Sequence, residues 1–147
     1  MKITTRGRFA VNAMMHLAIY AQESPVSLPH ISSHQNISVA YLEQIFCKLR
    51  RAGLVTSVRG PGGGYFLGRP RNEITVGSII DAVDEDMDAR QCRGDGTCKD
   101  DGCCLTHALW SELNEITSKF LESVTLQDIF NDLNKREKPI IGPKHLD

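Results

Sequence analysis

Apolar positions recur along the first fifty residues at helical spacing. Phe9, Ala13, Met14, Leu17, Ala18 and Ala21 fall on one stripe, which predicts a buried helix from about Arg6 to Gln22, capped by Thr4 or Thr5. Ser24-Pro25 interrupts it. Ser27 then caps a short helix from Leu28 to about Gln35, with Pro29 in the first turn, where a missing N–H costs little. Asn36 and Ile37 make a turn. Ser38 caps a third helix ending at Gly53, whose positions Val39, Leu42, Ile45, Phe46 and Leu49 form a one-sided apolar stripe. Its opposite side carries Tyr41, Gln44, Lys48 and Arg51.

A short helix, a tight turn and a longer helix with a polar free face make the helix-turn-helix pattern, whose second helix enters the major groove. Leu54 to Val58 next alternates as a strand, RGPGGG follows from Arg59 to Gly64, and Tyr65 to Leu67 returns. The product is a hairpin wing with a basic, glycine-rich tip. The tip lacks the Gly-Lys-Ser/Thr ending of a nucleotide-binding loop, and its spacing does not fit a dinucleotide fingerprint. Arg59 is instead placed to enter a minor groove beside the reading helix; the plainer reading is an exposed arginine on a tight turn.

Further along, a helix is expected from about Val76 to Val83. From Leu105 to about Ser123, Leu105, Leu109, Leu113, Ile116, Phe120 and Val124 form an apolar seam, with Glu112, Glu115, Lys119 and Glu122 outside it. Such a seam packs on the first helix or on a second copy of the chain, and a symmetric homodimer would set two recognition helices on a palindromic site. Thr125 and Asp128 resemble a capping pair for a last helix to about Leu133. The residues from Lys135 onward look like a frayed tail.

Charge separates the two halves. Residues 1–71 hold nine basic against two acidic side chains, a net +7, and residues 72–147 hold eight against sixteen, a net −8. A basic segment in an otherwise acidic chain is the footprint of a polyanion-binding surface. At 147 residues, with 41% hydrophobic and 24% charged residues, the chain suits one small domain with an appendage and excludes a large multi-domain enzyme. No nucleophile–base pair with a plausible pocket appears, so no enzyme is expected. The amino terminus faintly imitates a secretory signal, but Asn12 and His16 break its apolar run. No run approaches the roughly eighteen apolar residues of a membrane span. A soluble, cytoplasmic protein with no membrane partner is expected.

Between Asp84 and Gly102 the composition turns acidic and glycine-bearing, and four of the five cysteines lie between Cys92 and Cys104. That clustering fits metal chemistry in a reducing compartment better than a disulfide framework. Cys92, Cys98, Cys104 and His107 read C-x5-C-x5-C-x2-H, a donor set suited to zinc or to an iron–sulfur cluster. The spacing leaves both metals open. If a helix starts near Cys104, that thiol and His107 lie one turn apart, but Cys103 is equally on the face of His107. His16, His30 and His34 are expected to pack or face solvent, His145 lies in the tail, and Cys47 is expected to be a small buried hydrophobe.

The segments RGRFAVNAM, ISVAYLEQIFCKLRRAGLVTSVRGPGGGYFLG and LTHALW, with the Cys92/Cys98/Cys104/His107 set, together resemble the IscR-type winged-helix family of iron–sulfur cluster regulators. The resemblance runs to about residue 134. It implies a mainly α fold with a small β-hairpin wing: a winged helix-turn-helix domain over 1–83, a cluster-binding loop over 84–104, a dimerisation helix and C-terminal helix over 105–134, and a flexible tail over 135–147. It also implies a homodimeric repressor and activator that binds promoter DNA, with a [2Fe-2S] cluster on Cys92, Cys98, Cys104 and His107. The third thiolate aligns with Cys104 rather than Cys103. The iron–sulfur assembly machinery would donate the cluster, and its loading would select which promoters, those of cluster-assembly genes among them, are bound. Tyr41, Gln44 and Arg59 match positions that contact DNA, and Glu43 matches a glutamate credited with discriminating between operator classes. Ala40 departs from the serine of close relatives, which puts operator preference in question, and Cys103 is a second departure. A zinc-stabilised DNA-binding protein is the alternative; an electron-transfer or cluster-carrier protein would explain the cysteines but not the +7 segment or the wing.

Overall fold

The computed structural model describes residues 5–83 and 105–135. Among these, six α-helices and one hairpin follow in the order α1 (Thr5–Tyr20), α2 (Leu28–Gln35), α3 (Val39–Arg51), β1 (Val55–Val58), β2 (Gly64–Leu67), a 3-10 turn (Arg71–Glu73), α4 (Val76–Ala82), α5 (His107–Ser123) and α6 (Leu126–Asn134). Thr5 lies inside α1 rather than capping it, and the helix stops at Tyr20, two residues short of the expected end. Ala10, Ala13, Met14 and Leu17 of α1 are buried against α4 and α6.

Local chemistry starts and stops the helix pair. Ser27 Oγ accepts the His30 N–H at 3.3 Å, with Pro29 in the first turn. Asn36, left-handed at φ 56°, ends α2 and donates its N–H to the Ser32 carbonyl. Ser38 Oγ then accepts the Tyr41 N–H at 3.2 Å and opens α3. At the other end of α3, Gly53 at φ 77° bonds back to the Arg50 carbonyl, and the Leu54 N–H reaches that of Leu49. This paired C-terminal closure needs a left-handed residue and usually carries an apolar contact, supplied here by buried Leu49 and Leu54.

In the antiparallel hairpin, Val55 pairs with Leu67 and Val58 with Gly64. Two backbone bonds between Val26 and Tyr65, at 3.0 and 2.8 Å, dock it on the segment before α2. A side chain at Gly64 would run into the Val26 carbonyl, so a glycine is needed where the wing meets the body. Behind the helix pair, Ile74–Val76 is stitched to Val124–Leu126 by bonds of 2.8 and 3.0 Å. Thr125 and Asp128 close a reciprocal capping box at the start of α6.

Helix α5 differs from the rest, because none of its residues is buried. It packs beside α4, whereas α6 is the helix that lies on α1. Leu105 is 92% exposed, Phe120 62%, Ile116 58% and Leu109 55%. The apolar seam is therefore not covered within the described residues of the chain. No helix among the described residues is long and apolar enough to cross a membrane.

Candidate nucleic-acid interface

Helix α3 turns Leu42, Ile45, Phe46 and Leu49 into the core and leaves Glu43, Gln44 and Arg51 exposed, with Tyr41 and Lys48 half-buried. The burial of Phe46 carries the exposed side as well, since its ring lies 4.7 Å from that of Tyr65 on β2. This apolar contact joins the helix to the wing. Arg59 is exposed at the start of the wing loop, where Gly60 and Gly62 take positive φ.

Tyr41, Gln44 and Lys48 share a small surface depression with Arg6 of α1. Arg6 contributes a cation that helical periodicity assigns only to the outside of α1; its adjacency to α3 depends on how the helices cross. Tyr41 is held from the same helix by an edge-on contact with Phe9, 5.7 Å between ring centres. Arg71 belongs to the +7 segment but faces inward. Its guanidinium lies 3.9 Å over the Phe130 ring of α6 and donates to the Ala18 carbonyl at 3.5 Å. That is a cation–π contact bracing α6, so the charge available to a polyanion is smaller than the segment count.

Of the four proposed metal ligands, Cys92, Cys98 and Cys104 lie outside the described residues, as do Cys103 and His145. His107 is the first residue of α5, half-buried, with Thr106 as the cap. Helix α5 begins at His107, after a turn at Leu105 and Thr106. Cys47 on α3 is half-buried.

The histidines of α1 and α2, expected to pack or face solvent, are brought together by the structure. His16 is 1% exposed, with its Nε2 2.9 Å from His30 Nδ1. His30 and His34 stack with ring centres 4.3 Å apart. Burial first, then the neighbouring rings of His30 and His34, lowers the His16 pKa to about 4. Burial and His34 lower that of His30 as well. The sequence signal for half of this cluster is the i, i+4 spacing of His30 and His34; His16 joins through tertiary packing alone.

A helix pair with a basic free face, flanked by a hairpin wing, defines a winged-helix DNA-binding protein. The Rrf2 family model, an iron-dependent transcriptional regulator, matches residues 3–132, and the chain belongs to that family. It is 51% identical over 132 residues to the HTH-type transcriptional regulator IscR of Pectobacterium atrosepticum, covering 90% of this chain and 80% of the relative. It is 52% identical to IscR of Serratia proteamaculans over the same shares. Among solved structures, T. potens IscR superposes with a TM-score of 0.75 at 36% identity, covering 94% of this chain and 93% of that one. CymR of B. subtilis, the global cysteine regulator, gives 0.77 at 35%, covering 90% and 98%. The protein is a transcriptional regulator of the IscR type, not an enzyme.

Proposed function

We propose that the chain is a homodimeric repressor and activator that senses iron–sulfur cluster status through a [2Fe-2S] cluster and regulates cluster-assembly genes. What carries this reading is the union, in one chain, of a basic winged helix-turn-helix and the Cys92/Cys98/Cys104/His107 donor set at the foot of an uncovered apolar helix. Three thiolates and one imidazole fit such a cluster, and mixed ligation raises its potential above that of an all-cysteine site. The iron–sulfur assembly machinery is the expected cluster donor.

In this reading residues 1–83 read DNA, 84–104 hold the cluster, 105–134 join the two copies, and 135–147 form a tail. Tyr41, Gln44, Lys48 and Arg51 meet base edges and phosphates in the major groove, while Arg59 reaches the adjoining minor groove. Arg6 adds a phosphate contact beside them. Glu43 selects by refusal: a carboxylate is repelled by phosphate and tolerated only where it meets a donor such as cytosine N4. Pairing through α5 sets two reading helices on half-sites of a palindrome, about 34 Å apart.

Arg59→Ala lowers operator affinity about tenfold and reduces the slope of log affinity against log salt by about 1, read in titrations at several salt concentrations. An unchanged slope removes Arg59 from the cations that neutralise DNA charge. The proposal as a whole is tested by Cys92→Ala against wild type, under anaerobic conditions, on a panel of promoters. Binding is lost at some sites and kept at others. Identical binding at every promoter, or a colourless zinc-replete wild type with full operator affinity, overturns cluster sensing, and the second outcome points to a zinc-stabilised regulator. A chain with no salt-dependent DNA binding would instead be a cluster carrier.

A further inference from the structure

We infer that His16, His30 and His34 form a second metal site, separate from the cysteine loop, that takes a borderline-soft divalent ion of the zinc class between α1 and α2. One nitrogen from each ring lies within 4.8 Å of the others. An ion about 2.0–2.1 Å from each nitrogen holds its ligand atoms about 3.4 Å apart. His16 and His30 already face each other at 2.9 Å.

The surroundings select the ligating nitrogens. His34 Nδ1 lies 2.9 Å from the His30 carbonyl, so its proton is donated there and the lone pair is left on Nε2. His16 Nδ1 lies 3.3 Å from the Gln35 side-chain amide. Turned over, that amide accepts from Nδ1–H and frees His16 Nε2 for the ion, which takes the place of the proton now shared with His30. Such outer partners fix tautomer and ring orientation in metal sites.

Three imidazoles leave a tetrahedral ion one open position. His16 and His34 line an open cavity of about 410 Å³ together with Asn12, Gln35 and, from α6, Ile129 and Leu133. Water or a small anion fits there. On its other side His30 lines a cleft that reaches Gly62 and Gly63 of the wing. An ion on the triad would clamp the first helix of the DNA-reading pair to α1 and hold the ground on which the wing rests. Carboxylate-preferring ions such as magnesium are excluded by the all-nitrogen donor set.

The test compares the full-length wild type with His34→Ala, which alters an exposed side chain, by equilibrium dialysis with Zn2+ and by 15N spectra of the histidine rings. Ligation at the cysteine loop is common to both proteins and cancels. Wild type binds one more Zn2+ per chain, its His16, His30 and His34 ring nitrogens shift together, and its unfolding temperature rises by about 5 °C at saturating Zn2+. In His34→Ala the added equivalent binds at least about tenfold more weakly. Equal Zn2+ content in the two proteins overturns the inference. So do unmoved His16, His30 and His34 resonances in the zinc-loaded wild type, a readout that stands even if the variant folds poorly.

Discussion

Replacing Ile116 and Phe120 together with aspartate halves the sedimenting mass of the protein and lowers affinity for a palindromic operator by about a hundredfold or more. Both side chains are more than half exposed on α5, and no residue of that helix is buried within its own chain. In the proposed dimer they meet their counterparts across a two-fold axis. Carboxylates there are desolvated without partners, which interfaces do not tolerate. Once the copies separate, each reading head binds alone and loses the effective concentration that its neighbour supplies. Analytical ultracentrifugation with operator titrations reads both effects. A variant that sediments like wild type would falsify the assignment of α5 as the dimer helix.

Phe46→Ala lowers stability by about 3–5 kcal/mol, the usual range for a phenylalanine removed from a packed core. Phe46 is fully buried on the inner face of α3. Its ring also meets Tyr65 of the wing, so the resulting cavity opens where α3 and the wing join. A domain of ordinary stability has only about 5–15 kcal/mol to lose. Urea denaturation followed by far-UV circular dichroism will show the midpoint shift, and operator binding weakens even where the variant remains folded. A shift below about 1 kcal/mol would mean that the core collapses around the vacancy.

Helix starts and stops were legible because their signals are local. Ser27, Ser38 and the Thr125–Asp128 pair each cap within three residues of themselves, and the bonds appear where the spacing puts them. The apolar stripe of α3 was equally plain, since a 3.6-residue period separates buried Leu42, Ile45, Phe46 and Leu49 from exposed Glu43 and Gln44. What periodicity does not carry is the partner of a side chain from another element. Arg71 counts as positive charge in the sequence but braces Phe130 in the fold. Arg6 reads as an outer residue of α1 and comes to lie beside Tyr41 and Lys48. The histidine cluster needs α1 laid against α2, so only the His30–His34 spacing hints at it. The start of α5 was placed two residues early because Leu105 continues the apolar rhythm, whereas Leu105 and Thr106 form a turn.

The backbone stitch between Ile74–Val76 and Val124–Leu126 fixes one end of α5 to the DNA-reading domain. The other end, at His107, lies seventeen residues from Val124 along a straight rod, about 26 Å. Helix α5 is therefore a lever with its fulcrum at Val124: a tilt of about 5° moves its tip by about 2 Å, and the same arithmetic runs in reverse. In the proposed dimer, an event confined to the tip would swing the head about the fulcrum and change the span between the two heads, without altering a residue proposed to touch DNA.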